Sequence, residues 1–509
     1  MKNSNSKSQL VIAILASIFV GTVSQIITYI YSFNFAYRDA IYRLEAARRF
    51  FDSLNPGFIS QLGTVWLPVT HLIMAPFAYF DYLWTTGLAA SIVGFVCFIF
   101  NSIFIFLILK TNFRNNFVIW IGFLSFILNP NLLYFQTTAL TEQPYLLFIT
   151  ACFYFIIEWT FSRENKKLFI SGFFLMLAMG TRYDGWILFS AAFVLIFLTA
   201  EGIINKLKSL LTFSIIPLIF LVLWFLYNLI YFGDLLEFSR GKYSTLEQLK
   251  YYEEVGRLPT KHNIGISFDV TVKDISAYIG ITLTLISLIS ILIYTFKSKF
   301  KITLLTPYLL LIPLPAMFLL LYAGQTIIEM PNTNPPGYFN SRYGIYILPA
   351  IPFFAAYLIN ILIENKTRLK KILLYIVIFG FLFQQFDYYY YFPHHIPGIA
   401  EAIFCNNETN QRFSEYLKNN YDDGKIFYDF AIFAIPPFTK INIKNRINYN
   451  TADIGREALK NPKPYAKWVM FYTKASNDSV YYYLKNNKQF FNDYEKVFNY
   501  EGAEIYKIK

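Results

Sequence analysis

The sequence predicts an all-α polytopic membrane protein of about eleven transmembrane helices with a small C-terminal α/β extracytoplasmic domain. Three observations predict it. Of 509 residues, 56% are hydrophobic and 15% charged, more apolar surface than a water-soluble core needs. Apolar stretches close to the roughly 20 residues of one bilayer crossing recur from residue 10 to residue 392. Alternate short loops between them are basic.

The predicted spans are residues 10–31, 85–109, 117–135, 142–161, 168–181, 184–200, 209–232, 273–296, 302–323, 343–363 and 371–391. With the Lys2/Lys7 end cytoplasmic, the inside loops hold Lys110 and Arg114, Arg163, Lys166 and Lys167, Lys206 and Lys208, Lys297, Lys299 and Lys301, and Lys366, Arg368, Lys370 and Lys371. The loop from Gln136 to Thr141 has no Lys or Arg, and the other short outside connections hold only Arg182 and Arg342. This is the positive-inside pattern. It predicts a multi-pass plasma-membrane protein with a cytoplasmic N-terminus and, the number of spans being odd, residues 393–509 outside. One apolar stretch does not fit. Residues 64–80 hold Pro68, His71 and Pro76 and are short for a span, so they read as a re-entrant or interfacial segment on the outer face, the alternative being a proline-kinked crossing. The first apolar segment follows a basic stretch with no small-residue cleavage site and reads as a signal anchor.

The formal charge of +12 invites a nucleic-acid partner, but 16 of the 44 basic residues lie in the N-terminal tail and the inside loops, where they set topology. No basic nucleic-acid motif is present. Cys97, Cys152 and Cys405 have no metal or redox spacing, and the lone outside cysteine has no partner, which argues against disulfides.

Two long outer loops, residues 32–84 and 233–272, are where function is expected, because short loops only connect spans. In the first, AYRDAIYRLEAARRFF places Tyr37, Ile41, Leu44 and Phe51 on one helical face, predicting an amphipathic helix on the membrane surface. Asp39 sits at its start. Its structural reading is a helix-start acid favoured by the dipole and paired with Arg43 one turn on. Glu142, Arg182, Asp184 and Arg342 also fall at outer ends of spans, where charge is costly unless paired or functional. Such a set would gather carboxylates and guanidinium groups around one external cavity. The second loop has a helix predicted over Thr245–Val255 and reads either as a cover for that cavity or as a solvated interfacial loop.

The segments YRDAIYRLEAARRFFDSLNPGFISQLGTVWLPVTHLIMAPF, LTEQPYLLF, MGTRYDGW and SRYGIYILPAIPFFAAYL together resemble the GT-C glycosyltransferases, over residues 10 to about 363. These polyprenyl-phosphate-sugar-dependent enzymes include protein O-mannosyltransferases and lipid A aminoarabinose transferases. The resemblance implies transfer of a sugar from a polyprenyl-phosphate donor to an acceptor hydroxyl on a glycan, lipid or protein, with inversion, among membrane lipids and without nucleic acid. It implies Asp39 as the catalytic base and Glu142 as the second acid, with Arg182, Asp184, Arg342 and Tyr343 binding substrate. Guanidinium groups grip phosphate oxygens through paired hydrogen bonds, and the structural reading of each arginine is an interfacial anchor. Many relatives have two adjacent acids in the opening loop, whereas Ala40 follows Asp39 here, so a divalent metal is left open.

Residues 393–509 follow a transmembrane part of residues 1–392 and read as a small α/β domain. Helices are expected at Glu408–Asn420 and Asp478–Asn486, strands in KIFYDF and KWVMFYT, and a hairpin turning at Glu501-Gly502. No nucleotide-binding glycine motif appears, as suits a donor delivered within the membrane. A transporter or flippase of a lipid-linked or small polar substrate is the alternative reading, and a non-catalytic scaffold another. A transporter would place ionisable groups at the midplane and show repeated halves. Here charge gathers at the outer rim and no internal repeat is seen.

Overall fold

The computed structural model describes residues 2–298, 306–364 and 367–509. Lys299, Lys301, Lys366 and the first residues of the 302–323 span lie outside the described residues. The chain forms two compact units, one of Met1–Tyr31, Gly63–Thr70 and Val93–Glu401, the other of Ser32–Leu62, His71–Ile92 and Ala402–Lys509. Most of the first outer loop is therefore built together with the C-terminal residues.

The first unit is helical. Among the described residues, seven helices reaching or lying within it are long and apolar enough to cross a membrane: Lys7–Ile30, Leu88–Asn112, Glu142–Ser162, Ile203–Phe232, Ile281–Ser298, Ser341–Glu364 and Arg368–Tyr390. Phe19, Ile230 and Phe296 on them are 69%, 74% and 79% exposed, a degree of apolar exposure that suits lipid rather than water. The predicted 117–135 and 273–296 spans are not continuous. Asn116–Ile127 stops before Asn129, whose side chain caps the new helix Pro130–Phe135 by accepting from the Leu132 N–H at 3.0 Å. Pro130 lacks the N–H that a continuing helix would need. Ile264–Ile279 gives way to Ile281–Ser298 at Gly280, whose φ is +90° and where a Cβ would lie 2.1 Å from the Gln384 side chain. Only glycine fits there.

The first break helps to satisfy the second. Asn129 and Asn131 donate to the Tyr278 carbonyl at 2.9 and 3.2 Å, and Gln384 donates to the Ile279 carbonyl at 3.1 Å and accepts from the Leu283 N–H at 3.2 Å. Backbone freed from a helix at membrane depth requires such partners. The Val69–Ala78 helix inside the 64–80 stretch has ten residues, about 15 Å of rise, and is too short to cross.

The second unit contains a five-stranded sheet of order β2-β1-β3-β5-β4, with β1 Ile426–Phe427, β2 Arg446–Ile447, β3 Trp468–Tyr472, β4 Tyr494–Tyr500 and β5 Ala503–Ile508. β1 runs parallel to β2 and β3, while β5 is antiparallel to β3 and β4. Alternation along β3 sends Trp468 and Met470 to one core, with Phe413 and Leu417 of the Glu408–Asn420 helix. Val469 and Phe471 go to the other, with Val480, Leu484 and Phe490. A sheet covered on both faces needs exactly this two-sided apolar content, which is why KWVMFYT shows no polar alternation.

Asp478 accepts hydrogen bonds from the Tyr472 and Tyr481 N–H groups at 2.7 and 2.9 Å. Its burial pushes the carboxyl up to about 6, opposed by those N–H groups and reinforced by the nearby Asp429. An acid whose folded value is raised binds its proton in the folded chain at a pH where the unfolded chain has released it, so stability falls as pH rises from about 4 to about 6. About 3 kcal/mol is expected to be lost across that window. Hydrogen exchange of β3 amides followed from pH 4 to pH 7 checks it, and Asp478→Asn should flatten the dependence.

The opening-loop helix Arg38–Arg48 departs from the expected surface helix. Ala40, Ile41, Arg43, Leu44, Glu45, Ala47 and Arg48 are all buried within the second unit. Charges tolerate this because they are paired: Glu45 with Arg446, and Arg48 with Asp81 and, at 3.6 Å, Asp52. Helical periodicity in one segment cannot reveal partners 400 residues away. Cys97, Cys152 and Cys405 form no disulfide among the described residues.

Candidate active site

Four of the expected site residues converge in the first unit. Glu142 opens the Glu142–Ser162 helix, Arg182 sits in the turn between Asn165–Met179 and Asp184–Thr199, Asp184 opens the latter, and Arg342 lies on the 3₁₀ segment Ser341–Ala350. Glu142 is completely buried, and its Oε1 accepts from the Tyr346 hydroxyl at 2.9 Å. The same oxygen lies 3.1 Å from Arg342 Nε and 3.9 Å from Arg182 Nη1. Arg182 also pairs with Asp184 at 2.9 Å and donates to the Thr141 hydroxyl at 3.2 Å.

The Arg182 guanidinium lies against aromatic rings, its carbon 4.6 Å from the Tyr346 centroid and 4.8 Å from that of Tyr343. In a 3₁₀ helix residues three apart eclipse, so Tyr343 and Tyr346 present their rings to one side. Each cation–π contact adds about 0.5–2 kcal/mol and replaces hydration that burial removes. Glu142 thus lies between the two arginines, with one oxygen hydrogen-bonded to Tyr346 and near both guanidinium groups.

The 3₁₀ segment is itself anchored. Ser341 donates to Glu401 Oε2 at 2.5 Å and shares a hydrogen bond with the Tyr278 hydroxyl at 2.8 Å. At Gly344 a Cβ would fall 2.5 Å from the Asp274 carbonyl oxygen. The glycine permits the close approach that sets the depth of Arg342 and the two tyrosines.

Beside this cluster lies a narrow slot with ≈ 20 Å³ of free space. Tyr145, Asp184, Tyr343 and Tyr346 form its polar end, while Leu188 and Met317 are among its apolar lining. The Tyr145 hydroxyl has no hydrogen-bond partner among the described residues.

Sequence reasoning singled out Glu142, Arg182, Asp184, Arg342 and Tyr343, and the structure brings all five together. It missed Tyr346, Tyr145, Thr141, Ser341 and Glu401. The tyrosine pair spaced by three in SRYGIY was a usable signal for an arginine cage; Glu401, at the edge of the expected soluble domain, left none. Asp39 belongs to the second unit, half-buried at the second position of its helix. His71 of the 64–80 stretch is buried there too. Among the described residues no three His, Cys, Asp or Glu side chains are grouped so as to hold a metal ion.

No family model matches the sequence, and no curated protein matches it. Solved structures do share its architecture. ArnT from Cupriavidus metallidurans, bound to undecaprenyl phosphate, superposes with a TM-score of 0.58 at 9% identity, covering 98% of both chains. The fold is that of the GT-C glycosyltransferases. The Archaeoglobus fulgidus oligosaccharyltransferase in its apo form gives a TM-score of 0.52 at 11% identity, covering 91% of this chain and 69% of that one. The GT-C likeness thus extends through the C-terminal α/β residues, beyond the part of the sequence that carries the motifs.

Proposed function

We propose that this chain is an integral membrane glycosyltransferase that moves a sugar, with inversion, from a polyprenyl-phosphate donor to an acceptor hydroxyl at the outer face of the plasma membrane. The observation that carries the reading is the apolar slot ending at the arginine–tyrosine cluster. The apolar character of its walls matches a prenyl chain, and a phosphate suits guanidinium groups and a buried tyrosine hydroxyl with hydrogen-bonding capacity to spare. The GT-C fold supports the same reading, since ArnT, which has that fold, is bound to undecaprenyl phosphate. In this mechanism Asp39 takes the acceptor proton as the sugar carbon leaves the phosphate. Arg182 and Arg342, held by Glu142 and Asp184, stabilise the departing phosphate, and Tyr343 orders the sugar–phosphate end. The acceptor is a glycan, lipid or protein hydroxyl.

The purified protein incubated with undecaprenyl-phosphate-linked sugars should release undecaprenyl phosphate and form a glycosylated product. Turnover with a soluble nucleotide sugar and no lipid donor would overturn the assignment, and movement of the lipid-linked sugar across vesicles without product would favour a flippase.

The orientation rests on the basic loops. In a chain with Cys405 replaced by Ser, cysteines at the exposed positions Ser60 and Ser476 should react with an impermeant maleimide on intact cells, and one at exposed Ser162 only after permeabilisation. The reverse pattern would invert the topology.

A further inference from the structure

We infer that the C-terminal domain positions the catalytic base, gripping the helix that carries Asp39 through a main-chain turn at residues 429–433, with Tyr42 and Asp429 as positioning residues. The inference rests on the reading of Asp39 as the base. Arg38 Nη2 donates to the Ile432 carbonyl, and the Tyr42 hydroxyl donates to the carbonyls of Phe430 and, at 3.2 Å, Phe433. Residues 38 and 42 flank Asp39, one before it and three after, within one helical turn. Two directional contacts on either side of a residue set the rotation of its helix as well as its depth. Burial holds the Tyr42 phenol well above its usual range, so it remains a donor at any working pH.

The turn owes its shape to Asp429. Its carbonyl accepts from the Ile432 and Phe433 N–H groups at 3.1 and 3.0 Å. Its carboxylate accepts from the N–H groups of Ala431 and Ser479, at 2.9 and 3.0 Å, and from the Ser479 hydroxyl. Farther along the same loop the attachment is repeated. Arg446 spans Glu45 and the carbonyls of Ile435 and Ile441, and Asp52 accepts from the Ile443 and Lys444 N–H groups at 2.9 and 3.3 Å. These later contacts suffice to bind the segments together. The contacts at 38 and 42 add control over the one turn that holds Asp39.

A general base must lie within hydrogen-bond reach of the acceptor, and misplacement by about 1 Å costs up to about 10² in rate. Tyr42→Phe should therefore lower kcat for sugar transfer about 10- to 100-fold while KM for the undecaprenyl-phosphate sugar changes less than about 3-fold. In an Asp39→Asn background Tyr42→Phe should have no further effect, because it acts through the carboxylate. Unchanged kcat for Tyr42→Phe alongside an inactive Asp39→Asn overturns the inference and leaves the reading of Asp39 standing. The same fold-loss in both backgrounds also overturns it. Near-normal turnover by Asp39→Asn instead removes the underlying reading. Should Tyr42→Phe fail to fold, by loss of strand amide protection, Ser479→Ala on the far side of the turn carries the same comparison.

Discussion

Asp39→Asn is expected to lower the rate of sugar transfer by about 10² to 10⁴, the usual worth of a general base, with expression and donor binding nearly intact. The substitution keeps size and hydrogen-bonding shape and removes basicity. Asp39 lies at the second position of the Arg38–Arg48 helix, and the cap residue Tyr37 offers no side-chain cap. There the loss of a negative charge from the helix dipole costs about 0.3–1 kcal/mol, too little to unfold the unit. The catalytic and structural roles thus predict opposite results in the same assay. Near-wild-type turnover would make Asp39 a helix-start acid.

The second large effect is on stability. Glu142→Ala should destabilise the helical unit by about 3–5 kcal/mol, because it leaves buried guanidinium charge without the carboxylate that offsets it. Arg182 and Arg342 have side chains only 10% and 7% exposed, so solvent cannot substitute. Asp184 is the internal control. Its side chain is 21% exposed, and its loss leaves Arg182 still beside Glu142, so Asp184→Ala should cost distinctly less. Thermal unfolding of the two variants in one detergent makes the comparison. Equal midpoints would deny Glu142 its place as the hub of the cluster.

Much of the site was legible because it is local. Each of LTEQPYLLF, MGTRYDGW and SRYGIYILP puts a charged or aromatic residue where an apolar span begins, and a charge there needs a partner. Three such segments on the same predicted side imply one another. The chemistry of Glu142 was less legible. In the sequence it reads only as the second acid, and the structure alone shows Tyr346, Arg342 and Arg182 beside one of its oxygens. Tyr346 lay unremarked inside a quoted motif because the 3₁₀ geometry that aligns it with Tyr343 replaces the α-helix expected there.

Sequence alone determined the membrane class, the strands in KIFYDF and KWVMFYT, the Glu408–Asn420 helix, and the hairpin at Glu501-Gly502, whose residues have φ of +47° and +99°. These follow from composition, from short-range periodicity and from the backbone freedom of particular residues, all of which act within a few positions. Tertiary structure alone decided where spans break, since the break at Gly280 is stable only because Asn129, Asn131 and Gln384 arrive from elsewhere to satisfy the freed backbone. It also decided the fate of the opening-loop helix. Its apolar stripe equally suits a lipid surface or a protein core, and Arg446, the Asp429 turn and Trp84 make it a core helix by supplying the partners that buried charge requires.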